Sequence, residues 1–189
     1  MSELTVGQLK GLTVNNNTIT VPSGHKLYAP GSIVQISTMR LDTKTSIGYS
    51  ANTILSALNI SITPKFASSL LMVEWVLSYE ADYNATFRVF RDNNLISNSG
   101  YQGYNNTDGN RWSGVAPLLY DGDVASTPNS QLIRHYVPAY TTSATTLQLG
   151  VIQSAGASGT IHLNRSFASS GADNYENGIC TAMIWEIAQ

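Results

Sequence analysis

Along most of this chain apolar and polar residues alternate with a period of two, in short runs cut by Gly, Pro and Asn. That period belongs to strands with one buried face. The most apolar run, LLMVEWVLSY at 70–79, puts Leu71, Val73, Trp75 and Leu77 on one face and turns Glu74 away. A helix is conceivable there, but two valines, a tryptophan and Pro- and Asn-containing flanks favour a strand.

The same reading predicts strands over 32–38, 55–63, 86–90, 132–138, 145–152, 160–163 and 179–187, with 40–53 as a polar loop anchored by Ile47 and Tyr49. In 55–63, Leu58, Ile60 and Ile62 share a face. In 86–90, Phe87 and Val89 oppose Thr86, Arg88 and Phe90. RDNN at 91–94, leading into Leu95 and Ile96, signals a hairpin. In the last run, Ile179, Thr181, Met183, Trp185 and Ile187 form one face and Cys180, Ala182, Ile184 and Glu186 the other; its apolarity predicts a central strand. The periodic positions of Trp75, Phe87 and Trp185 predict three core aromatics. About eight strands with Gly/Pro/Asn turns and no long helix give an all-β fold, an antiparallel β-sandwich with jelly-roll topology.

Two stretches break the pattern. Residues 1–30 carry short alternating pieces, Leu4/Val6, Leu12/Val14 and Ile19/Val21, none able to bury a face alone. They read as an extended N-terminal arm for attachment to a partner, with the sandwich domain over 31–189. Residues 97–130 are rich in Gly, Asn and Tyr and long for a loop in a compact domain. There Tyr101, Tyr104, Arg111, Trp112 and Tyr120 are candidate recognition residues. Aromatic rings beside amides and a guanidinium suit sugar or protein contact; packing within an oligomer or against the domain is the plainer use, and the residues leave both open.

Charged residues make up only 12% of the 189, with a formal net charge of -2. With no Lys/Arg cluster, nucleic acid is not an expected partner. No apolar run reaches the ~18 residues of a membrane span, and MSELTVGQLKG does not read as a signal peptide. The single cysteine, Cys180, reads as a buried free thiol. His25, His135 and His162 show no metal-ligand spacing. No elbow fixes a nucleophilic serine. Asp108, Asp121 and Asp123 do not follow a calcium-loop pattern, although DGD at 121–123 could offer alternating oxygens. Glu74 and Glu80 could serve a glycosidase only if carboxylates faced one another. No cofactor or metal is expected, and the chain reads as a binding or structural protein, not an enzyme.

The runs VPSGHKLYAPGSIVQI, LNISITPKFASSLLMVEWVLSY, TFRVFRDNNLI, TTSATTLQLGVIQSAGASGTIHLNRS and TAMIWEIAQ resemble small bacteriophage tail-fibre and virion structural proteins, especially of marine and cyanobacterial phages. Their heads are trimeric jelly rolls like those of tumour necrosis factor and C1q proteins. The resemblance covers 21–189 and lacks the heptads and shaft of long fibres. It implies a homotrimer on a virion, held to other virion proteins through its arm, as a tail fibre, adaptor or capsid decoration. A host glycan or receptor would be its target. A carbohydrate- or receptor-binding sandwich module is the alternative.

Overall fold

The computed structural model describes residues 29–50, 52–96, 114–120, 128–153, 158–167 and 176–189. The arm positions Leu4, Val6, Leu12, Val14, Ile19 and Val21 lie outside them, as do Tyr101, Tyr104, Arg111, Trp112, His25, Asp108, Asp121 and Asp123.

Twelve strands are described: β1 (Ile33–Arg40), β2 (Thr45–Tyr49), β3 (Thr53–Ile54), β4 (Ile60–Ile62), β5 (Leu70–Ala81), β6 (Ala85–Arg91), β7 (Asn94–Leu95), β8 (Ala116–Pro117), β9 (Asn129–Pro138), β10 (Thr145–Gln153), β11 (Gly159–Leu163) and β12 (Thr181–Ile187). They form two sheets in which every pairing is antiparallel. In the first, β9 pairs one edge of β5. The other edge of β5 pairs β12 and then β11, which pair β1 and β2 in turn. In the second, β3 and β4 pair β10, β10 pairs β6, and β6 pairs β7 and β8. Several ladder positions are thus occupied by two short strands end to end. Counting each such pair once gives eight positions, in the order of a jelly roll.

The core lies between the sheets. Leu71, Val73, Trp75 and Leu77 of β5 fill it, as their alternation predicts, against Phe87 and Val89 of β6 and Leu147, Leu149 and Val151 of β10. Trp75 Nε1 donates to the Leu58 carbonyl at 3.0 Å, so the indole is buried without an orphaned donor. Buried Tyr79 donates to Gln131 Oε1 at 2.6 Å and accepts from the Leu119 amide at 2.8 Å. Burial pushes its hydroxyl pKa up to about 12.

Four expectations need correction. The 55–63 run is not one strand: Ser56–Leu58 is a 3-10 turn and only Ile60–Ile62 pairs. Its side-chain phase still holds, because Leu58, Ile60 and Ile62 are all buried. Within the polar 40–53 stretch, β2 forms because β11 supplies a ladder, and Tyr49 is buried as anticipated. In β6 both faces are covered, with Arg88 1% and Phe90 5% exposed. Arg88 Nη1 donates to Asn52 Oδ1 at 2.9 Å. Phe90 fits because Gly150 on β10, diagonal to it and opposite Arg88, lacks a side chain; a Cβ there would meet the ring at 2.6 Å. Finally, Trp185 is not in the core. The core face of β12 is Cys180, Ala182, Ile184 and Glu186, while Trp185 sits half-buried on the outer face.

The RDNN hairpin forms as its sequence predicts. Asp92 and Asn93 both have positive φ, 49° and 67°, which matches the right-handed twist of the flanking strands. Asp92 accepts from Thr145 Oγ1 and the Thr146 amide, each at 2.8 Å, and Gln148 brackets Asn93 through its amide. Asn93→Val should cost about 2 kcal/mol, because a β-branched residue is strained at this φ and the Gln148 contact goes. Asn93→Gly should cost less than about 1 kcal/mol. Urea denaturation midpoints of the two variants check the contrast.

Candidate functional site: the outer face of the first sheet

Residues directly opposite in an antiparallel pair point to the same side, so the register defines rows across β1, β12, β5 and β9. One row is Ile36–Trp185–Met72–Tyr136 and the next is Thr38–Met183–Glu74–Arg134. Ile33–Ile187–Leu70–Pro138 and Arg40–Thr181–Val76–Leu132 flank them. All face away from the core. Ile33 is 58% exposed, Ile36 50% and Leu132 53%.

Four strands about 4.8 Å apart and eight residues long cover roughly 500 Å² in projection, at the upper end of apolar patches that monomers leave open. The charges on this face are paired. Arg134 donates from Nε at 2.8 Å and from Nη2 at 2.5 Å to the same Glu74 oxygen, which raises its pKa further. Arg40 pairs with Asp42 at 2.5 Å. The face is therefore apolar and close to neutral. A shallow depression of about 320 Å³ opens among Thr38, Arg40, Glu74, Val76 and Met183, where the smaller Thr and Val side chains sit beside long ones.

Behind this face the sheet is braced by a buried carboxylate. Glu186, 0% exposed, accepts from the Lys65 amide at 2.8 and 2.9 Å and from the Phe66 amide at 2.9 Å. It also accepts from Ser69 Oγ at 2.8 Å and Gln35 Nε2 at 2.6 Å. Burial alone would raise its pKa. The donors outweigh burial and hold Glu186 below the usual carboxylate range.

The remaining candidates have other uses. Cys180 is a free, buried thiol whose pKa is raised by burial; its sulfur lies 3.3 Å from both the Ser78 amide nitrogen and carbonyl oxygen. His162 aligns with Ser46 on β2 and Glu80 on β5. Its Nδ1 is 2.8 Å from Ser46 Oγ and its ring packs edge-on against Phe167. Its Nε2 is buried with no partner among the described residues, so Glu80 does not orient it as a triad acid would. Glu80 instead accepts from the Phe167 amide. Glu74 and Glu80 lie on one strand six residues apart, about 20 Å, too far to work as a glycosidase pair. Among the described residues no group of three His, Cys, Asp or Glu could hold a metal, and no helix is long and apolar enough to cross a membrane. Of the five predicted recognition residues, Tyr120 alone is described, at 49% exposure.

No family model matches the chain, including any for tail fibres or C1q-like heads, and no curated protein matches it. Among solved structures it is similar to VP2 of infectious bursal disease virus in a subviral particle, at 12% identity and a TM-score of 0.34. That alignment covers 82% of this chain and 37% of the other, so the chain spans little more than a third of its length. A likeness of this size carries no inference about function.

The outer face was visible in the sequence as the alternation of β12, but that alternation does not say which side is covered. Only the pairing of β12 with β1 and β5, and of β5 with β9, strands far apart in sequence, shows the apolar positions of four strands coming together in the open.

Proposed function

We propose that this chain is a non-enzymatic structural subunit of a virion, a tail-fibre, adaptor or capsid-decoration module, that works by self-association. The observation that carries the reading is the neutral apolar face on β1, β12, β5 and β9, centred on Trp185 and Met72. Water contact with such a face is unfavourable by about 25 cal/mol per Å². Its paired charges ask for no oppositely charged partner, so a second and third copy of the same chain are suitable occupants. The homotrimer and the virion setting come from the resemblance in sequence pattern, with residues 1–30 as the segment that joins the head to another virion protein.

The native mass tests this, measured by light scattering after size exclusion at moderate salt. Three times the chain mass is the expected result. A monomer at every concentration reached would remove self-association and favour the alternative, a sandwich module that binds carbohydrate or receptor as a single chain.

A further inference from the structure

At the seam between the two sheets, the end of β6 and the end of β9 enclose a second cleft, of about 230 Å³. Ile96 and Val137 supply apolar lining. Arg91 enters it with Nη2 donating to the Pro138 carbonyl at 2.6 Å, which fixes the plane of the guanidinium. The Arg91 Nε is buried with no acceptor among the described residues. The carboxylate next to it in sequence, Asp92, is turned to Thr145 and Thr146. Tyr140 lies across the guanidinium, 6.0 Å from ring centroid to Cζ, and is 76% exposed. Its φ is 58°, a conformation that bulky residues rarely adopt, held by its amide donating to the Ala67 carbonyl at 2.9 Å. Tyr136, 42% exposed, borders the cleft from β9.

A large ring kept mostly in solvent on a strained backbone brings the fold little beyond its contact with Arg91, and such outliers gather where ligands bind. We propose that this cleft binds an acidic sugar, its carboxylate on Arg91 and its pyranose ring against Tyr140 and Tyr136. The fork of a guanidinium matches a carboxylate, and the C–H faces of a pyranose suit an aromatic ring whose hydroxyl stays wet. The lining holds no lysine or second arginine, and burial lowers the pKa of His135 toward the neutral form, so Arg91 is the one fixed cation and balances one negative charge, not a phosphate dianion. The volume lies below the roughly 300–1,000 Å³ of drug-sized pockets, which fits a single ring better than a length of acidic peptide. The site comes from one chain; Tyr136, which also ends a row of the outer face, is the member it shares with the proposed assembly surface, and Arg91 and Tyr140 stand outside those rows.

The experiment titrates the full chain with methyl glucuronide, with methyl glucoside and with a short Asp-rich peptide, by saturation-transfer NMR. The uronide should bind in the millimolar range and the glucoside about tenfold or more weaker, the margin of a charge-assisted hydrogen bond. Arg91→Met should bring the uronide down to the level of the glucoside. Tyr140→Asn should weaken both sugars while the urea midpoint holds or rises, because Asn tolerates this φ; its loss of binding cannot then be put down to unfolding. Equal affinity for the two sugars, no binding at tens of millimolar, or uronide binding untouched in Tyr140→Asn would each overturn the proposal. Binding of the peptide without the uronide would overturn it in favour of a protein ligand.

Discussion

Replacing Trp185 with Asp should turn the proposed trimer into a monomer while leaving the fold of each chain intact. Trp185 lies on the outer face between Ile36 and Met72, where buried aromatics dominate binding and their loss commonly costs 2 kcal/mol or more per contact. A carboxylate placed there adds a charge that the paired Glu74–Arg134 and Arg40–Asp42 cannot neutralise. Within one chain the cost should be about 1–3 kcal/mol, short of unfolding, because the indole is only partly buried and lies outside the core. Trp75→Ala provides the contrast. That indole is fully buried and bonded to Leu58, and its loss should cost about 3–5 kcal/mol. Light scattering read beside urea denaturation separates the two. A Trp185→Asp protein that keeps the mass of the unaltered one would move the interface off this face.

Glu186→Ala should bring the domain close to unfolding. The change takes a charged acceptor from the Lys65 and Phe66 amides and from the buried Ser69 Oγ, and each hydrogen bond to a charged group is worth about 1.5–3 kcal/mol. A total near 4 kcal/mol is a large share of the 5–15 kcal/mol typical of a domain. The effect carries a pH signature. The folded pKa of Glu186 is lowered, so the unfolded state binds its proton first. The carboxylate's contribution is complete above the unfolded value of about 4.3 and disappears as pH falls through the lower folded value. Urea midpoints of the unaltered protein should therefore fall with acid over that window, and Glu186→Gln should lose this part of the slope. A variant with the same acid dependence as the parent would show that other carboxylates govern it.

Much of the fold was legible because one physical signal dominates it. The alternation at Leu71, Val73, Trp75 and Leu77 placed β5, and the sequence RDNN placed the hairpin, since positive φ at two successive residues selects Asp, Asn and Gly. The signal failed where a strand is apolar on both faces. In β6 and β12 the period is plain, but nothing local says that Arg88 goes under cover or that Trp185 stays out. β2 was missed because TSIGY has little apolar content and forms only against β11. The candidate sites were less legible still. Arg91 ends a strand of one sheet, Tyr136 sits in a strand of the other and Tyr140 follows its turn, and no periodicity links them. Tyr120 is half exposed; Tyr101, Tyr104, Arg111 and Trp112 lie outside the described residues.

The position of β12 governs the order in which the molecule can be built. It slots between β1 and β5, although about 140 residues separate it in sequence from β1. Until that strand has been synthesised, β1 has no ladder, β5 has an open edge along 70–76, and the loop over Lys65 and Phe66 has no Glu186 to hold it. Nascent chains must therefore carry exposed strand edges for most of their synthesis. Such distant pairings place this domain among slow folders, on the scale of milliseconds to seconds. During that interval the alternating apolar strands are open to wrong partners. A low charge content that favours close packing in a finished assembly offers little repulsion between unfinished chains, so yield should depend more on crowding during synthesis than on the stability of the final fold.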